Sequence, residues 1–467
     1  MPKRNQDRPE TKWETARLIP TAGIRGQDEQ ERRATSALLA VLPAVPDFGH
    51  ALLGGLKAPK GSISTFTEVR LKDDNGQTHI PDGAIIVERG KTRWACLVEV
   101  KTSTALLQGD QVERYLSMAR AHGFDGLLTI SNQIRTDAHE LPYKLNRARI
   151  GRLTVRHMSW WRILTEAIIQ SRFRGVADPD QAWILSELIR YLDDPKSGAS
   201  GFDGMGESWT KVRDAARMET LRASDTEAKD VAAKWEQFVE YLCLQLSQDL
   251  GVTVNRVRPR GQSPSDRVTQ ATKLMAATGV LEGTIKIPDA IGPLSIEANL
   301  RSARVVTSVE LQAPREGRPQ TRVNWLLRQL KNAPDDLRVD VRFSQSKTTS
   351  SCLIKECRDA PERLLADDAK REPRSFSVAL SRKMGTKRGR TDGSFVSETR
   401  RQLLDFYGEL VQDLQPPRQK APKLPKPTEE QGPPETTAAE LSEGRVRREQ
   451  ESSLDQIAQV AQFTDAG

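Results

Sequence analysis

Asp82, Glu99 and Lys101 are the residues of this chain whose types and spacing suit chemistry. Asp82 heads the apolar run Gly83-Ala84-Ile85-Ile86-Val87. After the polar break Glu88-Arg89-Gly90-Lys91-Thr92-Arg93, a second run, Trp94-Ala95-Cys96-Leu97-Val98, leads into Glu99-Val100-Lys101. Both runs are rich in β-branched and aromatic residues and bounded by glycine and charge, which predicts a strand, a turn and a strand. Side chains alternate along a strand, so Glu99 and Lys101 share a face. With Asp82 beside them, two carboxylates and an ammonium gather at one sheet edge, a combination that suits a divalent metal and a water. The alternative is a plain surface hairpin, in which Val98 and Val100 face the core and Glu99 pairs with Lys101 in solvent. Against it, both runs are apolar on both faces at their centres, as in strands covered on two sides, where unpaired charge is costly.

The elements that must position these residues follow a recognisable order. The periodicity predicts an amphipathic helix over 27–42, a strand over 65–71, the two strands above, a helix over 106–122, and strands at 126–131 and 153–157. Pro81-Asp82 followed by Glu99-Val100-Lys101, in this order of elements, resembles the PD-(D/E)XK, or restriction-endonuclease-like, nuclease superfamily, over roughly residues 20–195. Within the second helix, Gln111 and Tyr115 resemble the Gln-x-x-x-Tyr element of the RecB-like branch, and four-residue spacing puts the pair on one helix face.

The resemblance implies a specific chemistry. Asp82, Glu99 and the backbone carbonyl of Val100 would hold Mg²⁺ or Mn²⁺, with water and phosphate completing an octahedron of hard oxygens. The ion would activate water and neutralise charge on the phosphoryl oxygens, while Lys101 would orient the water or help deprotonate it. Glu31 shares the stripe of Ala34, Ala37, Leu38 and Val41 on the first helix and is a further metal-site candidate, with Glu29 and Gln27 as substitutes. Gln111, Tyr115 and Glu68 are expected in supporting roles, although Tyr115 with Met118 and Ala119 also reads as a core stripe.

Other chemistries lack their parts. Cys96, Cys243, Cys352 and Cys357 form no C-x-x-C pair, and His50, His79, His122, His139 and His157 are scattered, so zinc spacing is absent. Neither a G-x-x-x-x-G-K-[ST] phosphate loop nor a G-x-S-x-G elbow occurs.

At 467 residues the chain has room for two or three domains, and 37% hydrophobic with 29% charged residues describes a globular protein with some unstructured sequence. Residues 1–25 read as an extension and 26–197 as the nuclease-like α/β domain, closed by the breaker cluster that begins at Asp194-Pro195. Residues 205–345 form a second α/β domain, with a long helix over 228–250 and strands at 252–257, 283–287, 294–300, 304–311 and 337–343. Pro288-Asp289 with Glu310-Leu311-Gln312 loosely echoes the first motif, but an independent binding or dimerisation domain is the simpler expectation. Residues 346–415 read as a basic flexible arm followed by a helix, and 416–467 as a proline-punctuated tail without a core.

The net charge of +8 is concentrated between 370 and 390, where eight basic residues oppose Glu372 alone. Arg382, Lys383, Lys387, Arg388 and Arg390 are therefore candidates for holding phosphates by counterion release; a solvated linker is the plainer alternative. The expected partners are nucleic acid, DNA in preference to RNA on the resemblance alone, and a protein engaged through residues 205–467. With no signal-like N-terminus and no long apolar run, the expected location is the cytoplasm, away from membranes.

Overall fold

The computed structural model describes residues 18–417, apart from 20, 22, 74, 136–139, 147–149, 200, 203, 367–370, 388 and 390. The described residues form a mixed α/β protein built on two large sheets, with a two-stranded ribbon beside the first. Helix α1 (Gln27–Ala44) buries Ala34, Ala37, Leu38, Val41 and Leu42, one apolar stripe, and ends where Val45 precedes Pro46. That proline opens α2 (Pro46–Gly54), where its missing N–H costs nothing.

The first sheet contains β1 (Ser62–Thr67), β4 (Gly83–Arg89), β5 (Thr92–Val100), β6 (Gly126–Ser131) and β7 (Thr154–Ser159), in the order β1-β4-β5-β6-β7. The first three strands are antiparallel, and Gly90, at φ 59°, makes the tight turn between β4 and β5. From β5 to β7 the sheet is parallel, so β5 must cross over to β6, and α3 (Gly109–Ala121) is that crossover. Strand β5 is buried on both faces. Cys96, Val98 and Val100 join the core of α1 and of α4 (Trp160–Ile169), whereas Leu97 packs with Val112, Leu116 and Ala119 of α3. This excludes the surface-hairpin alternative.

Strands β1 and β4 belong to one long hairpin whose far end is β2 (Leu71–Lys72) paired with β3 (Thr78–His79). Between the two ladders the chain kinks. Glu68 takes φ 49°, uncommon for a side-chain-bearing residue, while its N–H still donates to the Asp82 carbonyl at 2.9 Å. The strand expected over 65–71 is therefore β1 and β2 broken at the residue opposite Asp82.

Helix α5 (Pro179–Asp193) completes the first unit and the short α6 (Trp209–Arg217) leads to the second. Its elements are α7 (Thr226–Leu250), β8 (Asn255–Arg256), α8 (Pro264–Thr278), β9 (Val280–Lys286), β10 (Leu294–Asn299), β11 (Arg304–Gln312), α9 (Pro319–Gln329), β12 (Arg338–Phe343), β13 (Thr349–Leu353), α10 (Ile354–Asp359), β14 (Pro373–Lys383) and α11 (Phe395–Glu409). The seven strands lie in the order β13-β12-β14-β11-β10-β9-β8 with every neighbouring pair antiparallel. Burial alternates along β9, β10 and β11, so one face is packed. On that face α7 sets Val239 against Gly283, and Gln402 of α11 donates to the Val305 and Leu380 carbonyls.

Two expectations need correction, the basic arm and the independence of the second domain, and one alternative set aside above stays excluded. The basic segment is no flexible arm: Phe376, Val378 and Leu380 alternate inward along β14, which sits inside the second sheet between β11 and β12. The unit expected to end at 345 therefore runs on through α11. The echo at Asp289 and Glu310 is not a copy of the first motif either, because its sheet has no parallel pair and Glu310 is engaged by Arg342 and Ser375. Nor are the two units separate. Trp161 meets Tyr241 at a ring distance of 5.4 Å, Gln248 donates to Thr165, and one hydrophobic core runs through both. Most of the 1–25 extension, Arg388, Arg390, His139 and the tail beyond 417 lie outside the described residues. No single helix among the described residues is long and apolar enough to cross a membrane.

Candidate metal and phosphodiester site

At the end of the first sheet, where antiparallel pairing gives way to parallel, the structure brings Asp82, Glu99 and Lys101 together. Gly83 pairs with Val98, so Asp82 stands opposite Glu99. The Asp82 carboxylate accepts from the Val100 N–H at 2.7 Å, which ties the two strands at the site. Lys101 Nζ lies 2.9 Å from Glu99 Oε1 and 2.9 Å from Glu31 Oε1, and donates to the Val100 carbonyl at 2.8 Å. Glu31 therefore reaches the group from α1. Glu29 instead pairs with Arg33, and Gln27 donates to the Thr102 carbonyl.

From α3, Gln111 Nε2 donates to Glu99 Oε1 at 2.7 Å, while Tyr115, one turn on, donates to the Ile80 carbonyl at 3.3 Å. Tyr115 is also core, packed with the α3 cluster, so both readings of that residue hold at once. Glu68 differs. Its exposed side chain lies 4.0 Å from Arg32, and its contribution at Asp82 is made by backbone.

The charges are unbalanced. Three carboxylates surround one ammonium, and Glu99, only 1% exposed, has a buried Oε2 without a hydrogen-bond partner. Burial first, then the charge of Asp82, pushes the Glu99 pKa up to about 8. Burial also raises Asp82, against the opposing Val100 N–H, and raises Glu31 against Lys101. For Lys101 burial acts downward, but Glu99 and Glu31 outweigh it and hold the ammonium charged. A buried acid pair that repels itself lowers its energy by gaining a proton or a cation.

The donor set fits a hard divalent cation. Asp82, Glu99 and the Val100 carbonyl offer only oxygen, one carboxylate oxygen is orphaned, and a cationic group already sits among these oxygens. Among the described residues no group of three or more His, Cys, Asp or Glu side chains stands in metal-binding geometry, so water and substrate must complete any coordination shell. The site opens into a cleft of ≈ 590 Å³ between α1 and the kinked hairpin, lined by Glu31, Arg32, Glu68, Arg70, Ile80 and Asp82 among others.

Several positioning groups escaped the sequence reading. Trp160, fully buried at the start of α4, donates its indole N–H to the Lys101 carbonyl at 2.9 Å. Asn132 bridges the Ser103 and Gly198 carbonyls, and Ser103, at φ 51°, donates its hydroxyl to Gln30 Oε1. Trp160 and Trp161 are both buried in the core, and nothing local in the sequence places the first behind Lys101. Next to Glu99 in register, Thr129 contacts Tyr143 and His157, and burial pushes the His157 pKa down to about 4.

The basic candidates stand elsewhere. Arg382 and Lys383 belong to β14, and Arg382 is ion-paired to Asp336. Lys387 lines a separate cavity of ≈ 720 Å³ with Lys234, Trp209 and Phe395. No protein-family model matches the chain, and no curated protein matches it.

Proposed function

We propose that the chain is a Mg²⁺- or Mn²⁺-dependent phosphodiesterase of the restriction-endonuclease-like, PD-(D/E)XK kind, acting on nucleic acid, DNA in preference to RNA, in repair or defence. The observation that carries this reading is the convergence of Asp82, Glu99 and Lys101 on one buried, acid-rich point that opens to a cleft. The succession α1, β1, β4, β5, α3, β6, with β5 and β6 parallel, supports it as the order the resemblance implies.

Asp82, Glu99 and the Val100 carbonyl would hold the ion. When bound, it lowers the pKa of a coordinated water and offsets phosphoryl charge. Lys101, as an ammonium, donates to the attacking water and to the phosphoryl oxygen as charge builds there. Glu31 and Gln111 position this machinery, the first through Lys101 and the second through Glu99. Water adds to phosphorus as the P–O bond to the leaving oxygen breaks, and its proton leaves through the open cleft. Acids outnumber arginines in that cleft, so a polyanion enters it only together with cations.

One observation favours a second reading, a nuclease-like core kept as a DNA-binding or protein-interaction adaptor: the Lys101 ammonium already neutralises part of the acid cluster. The two readings separate in one assay, cleavage of labelled DNA with Mg²⁺ by wild type, Asp82→Ala and Lys101→Ala. Cleavage by wild type alone supports the phosphodiesterase. Salt-dependent binding without turnover supports the adaptor, and equal degradation by all three proteins places the activity outside this site.

A further inference from the structure

Most large apolar side chains of the described residues are buried, yet two on the hairpin that carries Asp82 are not: Phe66 is 50% exposed and Ile80 44%. Phe66 lies on β1, the edge strand of the first sheet. The register sets Phe66 opposite Ala84, and Ala84 opposite Leu97. Side chains alternate, so Phe66, Asp82, Ala84, Leu97 and Glu99 share one face of the sheet. Phe66 and Asp82 are then diagonal neighbours, roughly 7–8 Å apart, a span that one nucleotide bridges from phosphate to base.

Sheet edges are ordinarily shielded by charge, proline or a covering element. Here the edge carries an exposed aromatic between Thr65 and Thr67 instead. Ile80 lines the cleft with Asp82, and the hydrogen bond from Tyr115 to its carbonyl fixes its backbone. Arg32 and Arg70, both exposed, line the same cleft and suit the phosphates of a passing strand. Bases inside a duplex are already stacked on one another, whereas an unpaired base has a free π-face for an aromatic side chain.

The geometry points to Phe66, aided by Ile80, as a platform that receives an unpaired base next to the scissile phosphate, so that the site takes single-stranded nucleic acid in preference to intact duplex; this rests on the phosphodiesterase reading. Arg32 and Arg70 guide the backbone, Phe66 holds the base, and the phosphate reaches Asp82 and Glu99. A duplex would leave Phe66 without a stacking partner.

The test compares Mg²⁺-dependent cleavage of a single-stranded DNA oligonucleotide carrying 2-aminopurine with that of the same sequence in a blunt hairpin duplex, using the full chain. Wild type is expected to cut the single strand at least about tenfold faster. Phe66→Ala should lower the single-strand to duplex ratio by about 5- to 150-fold, the worth of one base–aromatic stack, and Phe66→Trp should keep it. A wild-type ratio of one or below, or a ratio unmoved by Phe66→Ala, overturns the proposal. If wild type cuts neither substrate, the phosphodiesterase reading fails, and 2-aminopurine quenching decides the platform separately. Quenching that Phe66→Ala removes and Phe66→Trp retains supports it; quenching absent, or unchanged in Phe66→Ala, overturns it.

Discussion

Each sheet of this chain has a cluster of buried charge beside it, and the two are balanced in opposite ways. Beside the second sheet, Glu236 of α7 is held by Arg256 of β8 and Arg267 of α8, with all three side chains nearly inaccessible. Both carboxylate oxygens are bonded, and Arg256 also donates to the Glu236 carbonyl. One acid between two guanidiniums is a structural clasp on three elements. At the end of the first sheet the ratio is reversed, three acids to one ammonium, with a carboxylate oxygen left over and a cleft leading in. Burying charge is costly unless the partners are present. The Glu236 carboxylate has both oxygens bonded within the chain, whereas Glu99 keeps one oxygen without a partner, which on the proposed reading a cation would engage.

Breaking each cluster should therefore have a different consequence. The largest effect is expected from Glu99→Ala on metal-dependent cleavage, a loss of about a thousandfold or more, ~4 kcal/mol of transition-state stabilisation, read in single-turnover kinetics. Glu236→Ala should leave cleavage per folded molecule intact but destabilise the protein by about 3–5 kcal/mol, because two guanidiniums lose their buried partner. Denaturant titration measures that loss.

A third prediction concerns pH. His157 is buried, with its pKa pushed down to about 4, against about 6.5 in the unfolded chain. As pH falls the unfolded chain takes up this proton first. Its contribution is whole above about pH 6.5, drains between 6.5 and 4 by roughly 3 kcal/mol, and is flat below. His157→Gln should flatten that part of the stability profile; an unchanged slope would assign the acid sensitivity to other groups. The smallest effect sharpens the comparison most. Glu99→Gln replaces an acid that burial disfavours in its ionised form with a neutral isostere and should raise stability at neutral pH by about 1 kcal/mol, whereas Glu236→Gln should lower it.

Much of the first sheet was legible because its signals are local. The apolar runs around Gly90 gave β4 and β5, alternation gave the shared face of Glu99 and Lys101, and helical spacing gave α1 and α3 with Glu31 and Gln111 turned toward the site. What sequence could not give was the kink at Glu68 or the indole of Trp160 behind Lys101, since both depend on contacts between distant segments. Strand β14 is a different failure. Its alternation, Phe376, Val378 and Leu380 between serines, was present, but the basic residues on either side made the stretch read as solvated. In the fold those charges fall at the strand's ends or beyond it, where Arg374 and Lys383 stay exposed and Arg382 finds Asp336.

The central claim is that the acid excess around Lys101 is a cation site, and calorimetric titration of Mg²⁺ or Mn²⁺ into the full chain tests it before any substrate is chosen. One site is expected in wild type and in Glu236→Ala, with affinity at least about tenfold weaker in Glu99→Ala. Absence of binding to wild type, or equal binding to Glu99→Ala, would contradict the account.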